Sequence, residues 1–206
     1  MPGRAFVAHG PGTGRRMVHE PQAQTTRDNL REALKRVAVA LKETGIPFAL
    51  AGGYAVWARG GPEPDHDVDF LVAESDAGKA ADLLREKGLD VEEPPEDWLF
   101  KVFTDDAMVD VLFRAAGSPV QEGVLRDATE VEVLSVRMPV LAATDLIIQK
   151  LTVLSERYCD LAQVLPACRA LREQVDWSRV RAQVEDNPFA EAVMLLLDRL
   201  EVVPKP

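Results

Sequence analysis

The spacing of apolar residues predicts a helix at the start of the folded part of the chain. An apolar stripe begins after Thr26 and stops before Gly45, and its residues recur at every third or fourth position. Its members are Leu30, Leu34, Val37 and Leu41. This period fits one face of an α-helix, and Thr and Gly favour the two helix ends. We therefore expect an amphipathic helix over this stretch.

Shorter apolar runs then alternate with helical patterns. The segment "IPFALAG", residues 46–52, is typical of a buried strand, and Gly52 and Gly53 open a short helix that continues to Arg59. The segment "DVDFLVA", residues 67–73, predicts a second strand. A helix from about residue 76 to residue 87 follows and ends at a glycine.

The middle of the chain has the pattern of a hairpin and one further strand. The segments "DWLFKVFT" and "AMVDVLF" flank Asp105-Asp106, a turn dipeptide between two strand patterns. The segment "EVEVLSVRMPVLA", residues 130–142, predicts one more strand. After residue 141 the apolar spacing is helical to the end of the chain.

These elements predict a mixed α/β (α+β) fold with three parts. Residues 1–25 are rich in Gly, Pro, Gln and Arg without apolar periodicity, and we expect a flexible tail. Residues 26–140 are expected to form a mixed sheet flanked by helices. Residues 141–206 form a C-terminal helical bundle.

Composition narrows the classes of partner. The 206 residues include 24 basic and 34 acidic side chains, a formal net charge of -10, which does not attract polynucleotide over long range. No DNA-binding patch is evident in the sequence, and a local basic patch is left open. Cys159 and Cys168 fit no metal-binding or redox spacing and are expected to be reduced thiols. The sequence lacks a signal peptide core and any membrane-length apolar run, so we expect a cytoplasmic protein with no membrane association.

Two carboxylates mark the start of the second predicted strand. Asp67 and Asp69 are two residues apart, so strand geometry directs both side chains to the same face while Val68 and Phe70 face the core. Like charges this close are unfavourable without a cation between them, and a divalent metal ion is the usual solution. The alternative is that both are exposed turn residues.

A third carboxylate, Asp110, interrupts the apolar run "MVDVLFR". Burying a lone acid in such a strand is costly unless it has a partner. If this strand lies beside the Asp67/Asp69 strand, the three carboxylates converge and can hold two magnesium ions, the arrangement used for nucleotidyl transfer. The Gly52-Gly53 turn would then let backbone N–H groups approach phosphate oxygens.

This pattern resembles the nucleotidyltransferase superfamily, whose fold is shared with DNA polymerase beta. The likeness covers roughly residues 46–165 and consists of a strand, Gly-Gly, a short helix, the Asp-x-Asp strand and a later strand with one Asp. Within the superfamily the chain most resembles small bacterial enzymes of the AbiEii and minimal-nucleotidyltransferase kind. Those proteins carry a helix with a lysine followed by an arginine and an aspartate, as in "LAATDLIIQKLTVLSERYCDLAQVL".

The resemblance implies a role for each candidate residue. Asp67, Asp69 and Asp110 would be the metal ligands and catalytic carboxylates, and Asp110 would also accept the proton of the acceptor hydroxyl. Gly52 and Gly53 would cradle the β- and γ-phosphates of the NTP. Lys150 is a candidate for pairing with the triphosphate or the substrate. The alternative for this lysine is a side chain that only reaches solvent from a core-facing helix.

The expected function is magnesium-dependent transfer of a nucleoside monophosphate from an NTP, such as ATP, with release of pyrophosphate. The acceptor is a small molecule, an RNA end or a protein side chain, and the acidic balance favours a small or cationic one. The alternative is a non-catalytic nucleotide-binding protein, or an interaction protein of the toxin-antitoxin type, on the same fold. A homodimer through the apolar stripe of the last helix is also left open.

Overall fold

The strands of this computed structural model form one large mixed sheet and one short ribbon. The structure describes residues 20–104, 107–115 and 117–203. The strands are β1 (Phe48–Ala51), β2 (Val68–Val72), β3 (Asp90–Glu92), β4 (Leu99–Phe103), β5 (Met108–Leu112), β6 (Arg114–Ala115), β7 (Ser118–Pro119), β8 (Thr129–Val133) and β9 (Val136–Val140). Seven of them form a sheet in the order β3-β4-β5-β2-β1-β9-β8, and β6 pairs with β7.

The centre of the sheet brings distant parts of the chain together. Strand β2 pairs with β1 in antiparallel and with β5 in parallel orientation, and β1 pairs with β9 in parallel orientation. The predicted hairpin is confirmed, because β4 and β5 pair in antiparallel orientation. Its Asp105-Asp106 turn lies outside the described residues.

Helices flank the sheet and continue to the C-terminus. They are α1 (Glu20–Thr44), α2 (Gly52–Ala58), α3 (Ala77–Glu86), α4 (Glu122–Arg126), α5 (Ala143–Thr152), α6 (Leu161–Leu171), α7 (Trp177–Val184) and α8 (Pro188–Arg199). Helix α1 contacts α3 and the strands β2, β5 and β9, whereas α5 contacts α2, α6, α7 and α8. The predicted fold class, a mixed sheet with flanking helices and a C-terminal helical part, is confirmed; the domain boundaries stay predictions.

The first helix buries the predicted stripe but begins earlier than expected. Leu30, Leu34, Val37 and Leu41 are all buried. The helix starts at Glu20 instead of Thr26, so residues 20–25 of the predicted tail belong to it. A polar segment gives no apolar period by which a helix could be recognised, which explains the difference. Residues 1–19 of the predicted tail lie outside the described residues.

The single strand predicted over residues 130–142 is wrong, because two antiparallel strands occupy it. Strands β8 and β9 pair with Val133 opposite Val136, so Leu134 and Ser135 form a two-residue turn. Both turn residues have positive φ, at 52° and 65°. Turns of this kind favour Asn and Gly. A leucine and a serine therefore conceal the turn in the sequence.

Helix α7 is held against the start of α5 by polar contacts. Thr144 Oγ1 accepts a hydrogen bond from the backbone N–H of Asp176 at 3.0 Å, and Arg179 of α7 donates to the buried carboxylate of Asp145 at 2.6 Å.

Cys159 and Cys168 are free, as expected, and burial raises the pKa of the Cys168 thiol to about 12. Across the described ranges, no helix is both long and apolar enough to cross a membrane.

Candidate active site

Three charged side chains form a row across neighbouring strands of the sheet. Asp69 of β2 lies directly opposite Asp110 of β5, and Asp110 lies directly opposite Lys101 of β4. Directly paired residues project to the same face of a sheet. On the opposite face, the residues flanking the two aspartates, Val68, Phe70, Val109 and Val111, are fully buried. The predicted adjacency of the two aspartate-bearing strands is therefore present.

The other predicted site residues surround Asp69. Asp67, just before β2, is exposed, and Asp69 is half-buried. Both line a cavity of about 440 Å³ whose wall includes Gly52, Gly53 and, from α5, Lys150. The structure thus brings five of the six predicted site residues to one cavity. The sixth, Asp110, is beside Asp69 in the sheet but does not line this cavity.

The loop that closes one side of this cavity is held by helix α1. Residues 62–66 line the cavity, and Glu63 within them accepts two hydrogen bonds from the guanidinium of Arg31, at 2.7 and 2.8 Å. Such a two-point pairing fixes the orientation of both side chains. His66 is exposed, and its Nε2 lies 3.1 Å from Asp65 Oδ1. The paired Glu63 therefore gives the cavity a defined wall.

Gly52 allows the backbone to pass directly against the Asp69 carboxylate. Its φ is +59°, and a Cβ atom added there would overlap Asp69 Oδ2. A Cβ atom at Gly53 would lie only 2.8 Å from Pro64 Cβ. No described side chain caps the first turn of α2, which begins at these two glycines. The glycines therefore keep backbone N–H groups accessible from the cavity beside Asp69.

We expect Gly52→Ala to damage the site and the fold together. Positive φ is unfavourable for alanine, and the added methyl group displaces the carboxylate, so the free energy of unfolding should fall by about 2 kcal/mol. Urea denaturation measures this loss. Gly78→Ala is the matched control, because Gly78 lies in α3 with open space around its Cβ position, and it should leave stability equal or about 0.5 kcal/mol higher. Equal stabilities for the two variants would contradict the close contact.

The charges around Asp69 are not fully compensated. Burial, followed by the negative charges of Asp110 and Asp67, raises the pKa of Asp69 to about 7, although Lys150 and Lys101 act in the opposite direction. A carboxyl group in this environment gains from a nearby cation. Oxygen ligands of this type suit a hard divalent ion such as Mg²⁺. Asp67 and Asp69 therefore fit a magnesium ion.

Asp110 has a different partner from the one expected. Its Oδ1 accepts a hydrogen bond from Lys101 Nζ at 3.0 Å, and both side chains are largely buried. Across the described parts of the chain, no group of three or more His, Cys, Asp or Glu side chains is arranged to hold a metal ion. Two carboxylates thus face the cavity, and the third, beside Asp69 in the sheet, is paired with a lysine. The shared metal site of the three carboxylates stays a prediction.

Lys101 is the site residue that the sequence analysis missed. It interrupts "DWLFKVFT" as Asp110 interrupts "MVDVLFR". Each lies four residues from the Asp105-Asp106 turn, and positions equally distant from a two-residue turn face each other in a hairpin. The register that a two-residue turn at Asp105-Asp106 implies would therefore place Lys101 opposite Asp110, as the structure does.

A second, smaller cavity adjoins the other side of Asp69. It has a volume of about 260 Å³, and Asp69, Gly52 and Lys150 line both cavities. Its remaining wall includes Gln149 of α5 and Leu112 at the end of β5. A molecule in the first cavity and another in the second would therefore meet at Asp69.

The three tryptophans lie away from both cavities. Trp177 is buried, Trp98 is 42% exposed, and Trp57 packs edge-on against Tyr54 beneath the guanidinium of Arg31. None of the three lines either cavity. Packing against other side chains explains Trp57 and Trp177.

Two solved structures have a similar fold. ANT(2")-Ia in complex with adenylyl-2"-tobramycin matches with a TM-score of 0.60 and 15% identity, over 80% of this chain and 99% of that chain. An antigenic nucleotidyltransferase-like protein from Paracoccidioides brasiliensis matches with a TM-score of 0.50 and 12% identity, over 80% and 91% of the two chains. At these identities the likeness shows the fold.

Sequence comparison identifies the family. No curated protein matches the chain. The model of a family described as uncharacterised nucleotidyltransferases matches residues 17–202, which include both cavities and all the predicted site residues. This chain therefore belongs to the family of uncharacterised nucleotidyltransferases.

Proposed function

We propose that this protein is a magnesium-dependent nucleotidyltransferase that transfers a nucleoside monophosphate from an NTP to a hydroxyl group of a small molecule. The observation that carries the proposal is the position of Asp69, whose carboxylate lies against Gly52 and between two cavities. We also propose that the protein is of the AbiEii or minimal-nucleotidyltransferase kind, because its Gly-Gly and Asp-x-Asp elements face one cavity.

The larger cavity is assigned to the NTP. Gly52 and Gly53 lie beside the two carboxylates, so their backbone N–H groups can contact the β- and γ-phosphates. Lys150 faces the same space and carries a positive charge for the triphosphate. Asp67 and Asp69 would hold magnesium, which supplies charge stabilisation to the phosphates when bound. The two glycines and Lys150 stabilise the negative charge that develops on the leaving pyrophosphate.

The smaller cavity is assigned to the acceptor. Its wall reaches Asp69 from the β5 side, and Gln149 offers an amide that can orient a polar molecule. The acceptor oxygen forms a bond to the α-phosphorus, the α–β phosphoanhydride bond breaks, and pyrophosphate leaves. Asp110, beside Asp69 in the sheet, accepts the hydroxyl proton.

A small-molecule acceptor fits this chain better than a nucleic acid. A cavity of about 260 Å³ holds a compact molecule, and the net charge of -10 disfavours polynucleotide. ANT(2")-Ia, which shares the fold, is described with adenylyl-2"-tobramycin. Aminoglycosides such as tobramycin are therefore the first acceptors to supply, with an RNA 3′ end and a protein as the other acceptor classes.

The test is calorimetric binding of each NTP with and without magnesium. We expect binding of at least one NTP to weaken about tenfold or more when EDTA removes magnesium, and to disappear in Asp67→Asn/Asp69→Asn. Asp65→Asn is the matched control, because it removes one exposed carboxylate of the same cavity wall, and it should retain binding. Absence of NTP binding in the wild-type protein would refute the proposal. Binding without any label transfer would favour the non-catalytic alternative.

A further inference from the structure

Lys101 is a charged residue in a strand whose neighbouring side chains are apolar and buried. It lies in the middle of β4, its neighbours Phe100 and Val102 are buried, and only 26% of its side chain is exposed. Its Nζ donates to Asp110 Oδ1 at 3.0 Å, and the Asp110 side chain is 17% exposed. Removing two charges from water is costly, so a buried pair is weak evidence for stability. A pair of apolar side chains would pack this position at lower cost.

The charge of Lys101 acts on the site as a whole. Asp110 is next to Asp69, so Lys101 is the third member of a row that ends at the metal-binding candidate. The lysine places its ammonium group next to a row of two carboxylates. It therefore supplies, from the protein itself, positive charge of the kind that a second divalent ion would bring.

The two carboxylate environments differ accordingly. Asp67 and Asp69 line the NTP cavity, where oxygen ligands are open to an ion from solvent. Asp110 does not line that cavity, and one of its oxygens is already engaged by an ammonium group. An ion that bound Asp110 would have to overcome repulsion from Lys101 at close range. The positions thus separate one metal-ligating pair from one lysine-paired acid.

We infer that Lys101 replaces the second divalent ion of the site, so that Asp67 and Asp69 hold one ion and Asp110 is positioned and neutralised by Lys101. This inference rests on the proposed function and revises the expectation of two magnesium ions. Lys101 is a positioning residue, since it acts on the reaction through Asp110. The ammonium group fixes one oxygen of Asp110 and leaves the carboxylate in place to accept the acceptor proton.

The number of bound ions tests the inference without any measurement of activity. Mn²⁺ is added to an equimolar complex of the protein with α,β-methylene ATP, and electron paramagnetic resonance measures the free ion. We expect one bound Mn²⁺ per complex for the wild-type protein and two for Lys101→Met. Lys101→Arg retains the positive charge and should bind one. Lys87→Met removes a lysine that pairs with exposed Glu43, and it should also bind one.

Two bound ions in the wild-type protein would overturn the inference while leaving the proposed function standing. One ion in Lys101→Met, with the affinity of the wild-type protein, would overturn it as well. If no variant bound the nucleotide analogue or Mn²⁺, the proposed function itself would fail. If Lys101→Met does not fold, the wild-type count still tests the inference, because two bound ions would overturn it.

Discussion

Asp69→Asn and Asp110→Asn are each expected to lower the rate of nucleotidyl transfer by about 10³-fold or more. Asp69→Asn removes a proposed ligand of the ion that would stabilise charge on the phosphates, an effect of several kcal/mol. Asp110→Asn removes the proposed proton acceptor, and loss of a general base lowers a rate by about 10²- to 10⁴-fold. The measurement is transfer of label from α-³²P-ATP to the best acceptor of the panel, with tobramycin as the first.

Asp82→Asn is the control for this loss. Asp82 lies on α3, is exposed, and pairs only with Arg85 one turn away among the contacts of the described chain, so the variant should transfer label at the wild-type rate. Circular dichroism of all three variants should match the wild-type spectrum. Full transfer by both Asp69→Asn and Asp110→Asn would exclude the two carboxylates from the chemistry.

The stability of the magnesium-free protein is expected to fall as the pH rises from about 4 to about 7. Asp69 has a folded-state pKa of about 7 against an ordinary value of 3.8. Between these values the folded state retains a proton that the unfolded state has lost, so increasing pH favours unfolding. Above pH 7 the accumulated penalty is on the order of 4 kcal/mol. Asp69→Asn carries no ionisable group at this position and should escape the penalty.

Urea denaturation in EDTA at several pH values measures the difference between the two proteins. At pH 4 their free energies of unfolding should agree closely, and at pH 8 Asp69→Asn should be the more stable protein. Magnesium with ATP should narrow the gap at pH 8, because it binds only the folded wild-type site. Asp82→Asn should follow the wild-type curve throughout. A constant difference between wild type and Asp69→Asn would show that the Asp69 charge is already compensated.

Local patterns in the sequence were enough to predict much of the candidate site. Asp67 and Asp69 share a face because strand side chains alternate, and the buried Val68 and Phe70 confirm that alternation. Asp110 was recognisable as an acid in an apolar strand. The Gly52-Gly53 pair predicted a backbone approach to phosphate oxygens, which stays a prediction. The structure shows in addition that Gly52 lies against Asp69.

Other features depended on information that local patterns do not contain. The parallel pairing of β2 with β5 joins segments about forty residues apart. Local patterns do not determine which distant strands pair, so the sequence alone did not predict that these two strands are adjacent. The turn between β8 and β9 uses Leu134 and Ser135 at positive φ, where the usual signal residues are absent. The role of Lys101 depends on the register across the hairpin, which places it opposite Asp110, and an isolated lysine in a strand pattern does not indicate its partner.

The direct register of β4, β5 and β2 makes the site sensitive to strand length. One residue inserted within β5 would reverse the alternation, turning Asp110 toward the layer of Val109 and Val111 and placing an apolar side chain beside Asp69. An insertion in a connecting loop would leave the row intact. During evolution, sequences that preserve this chemistry can thus gain or lose residues between the strands, while the strands themselves must keep their length.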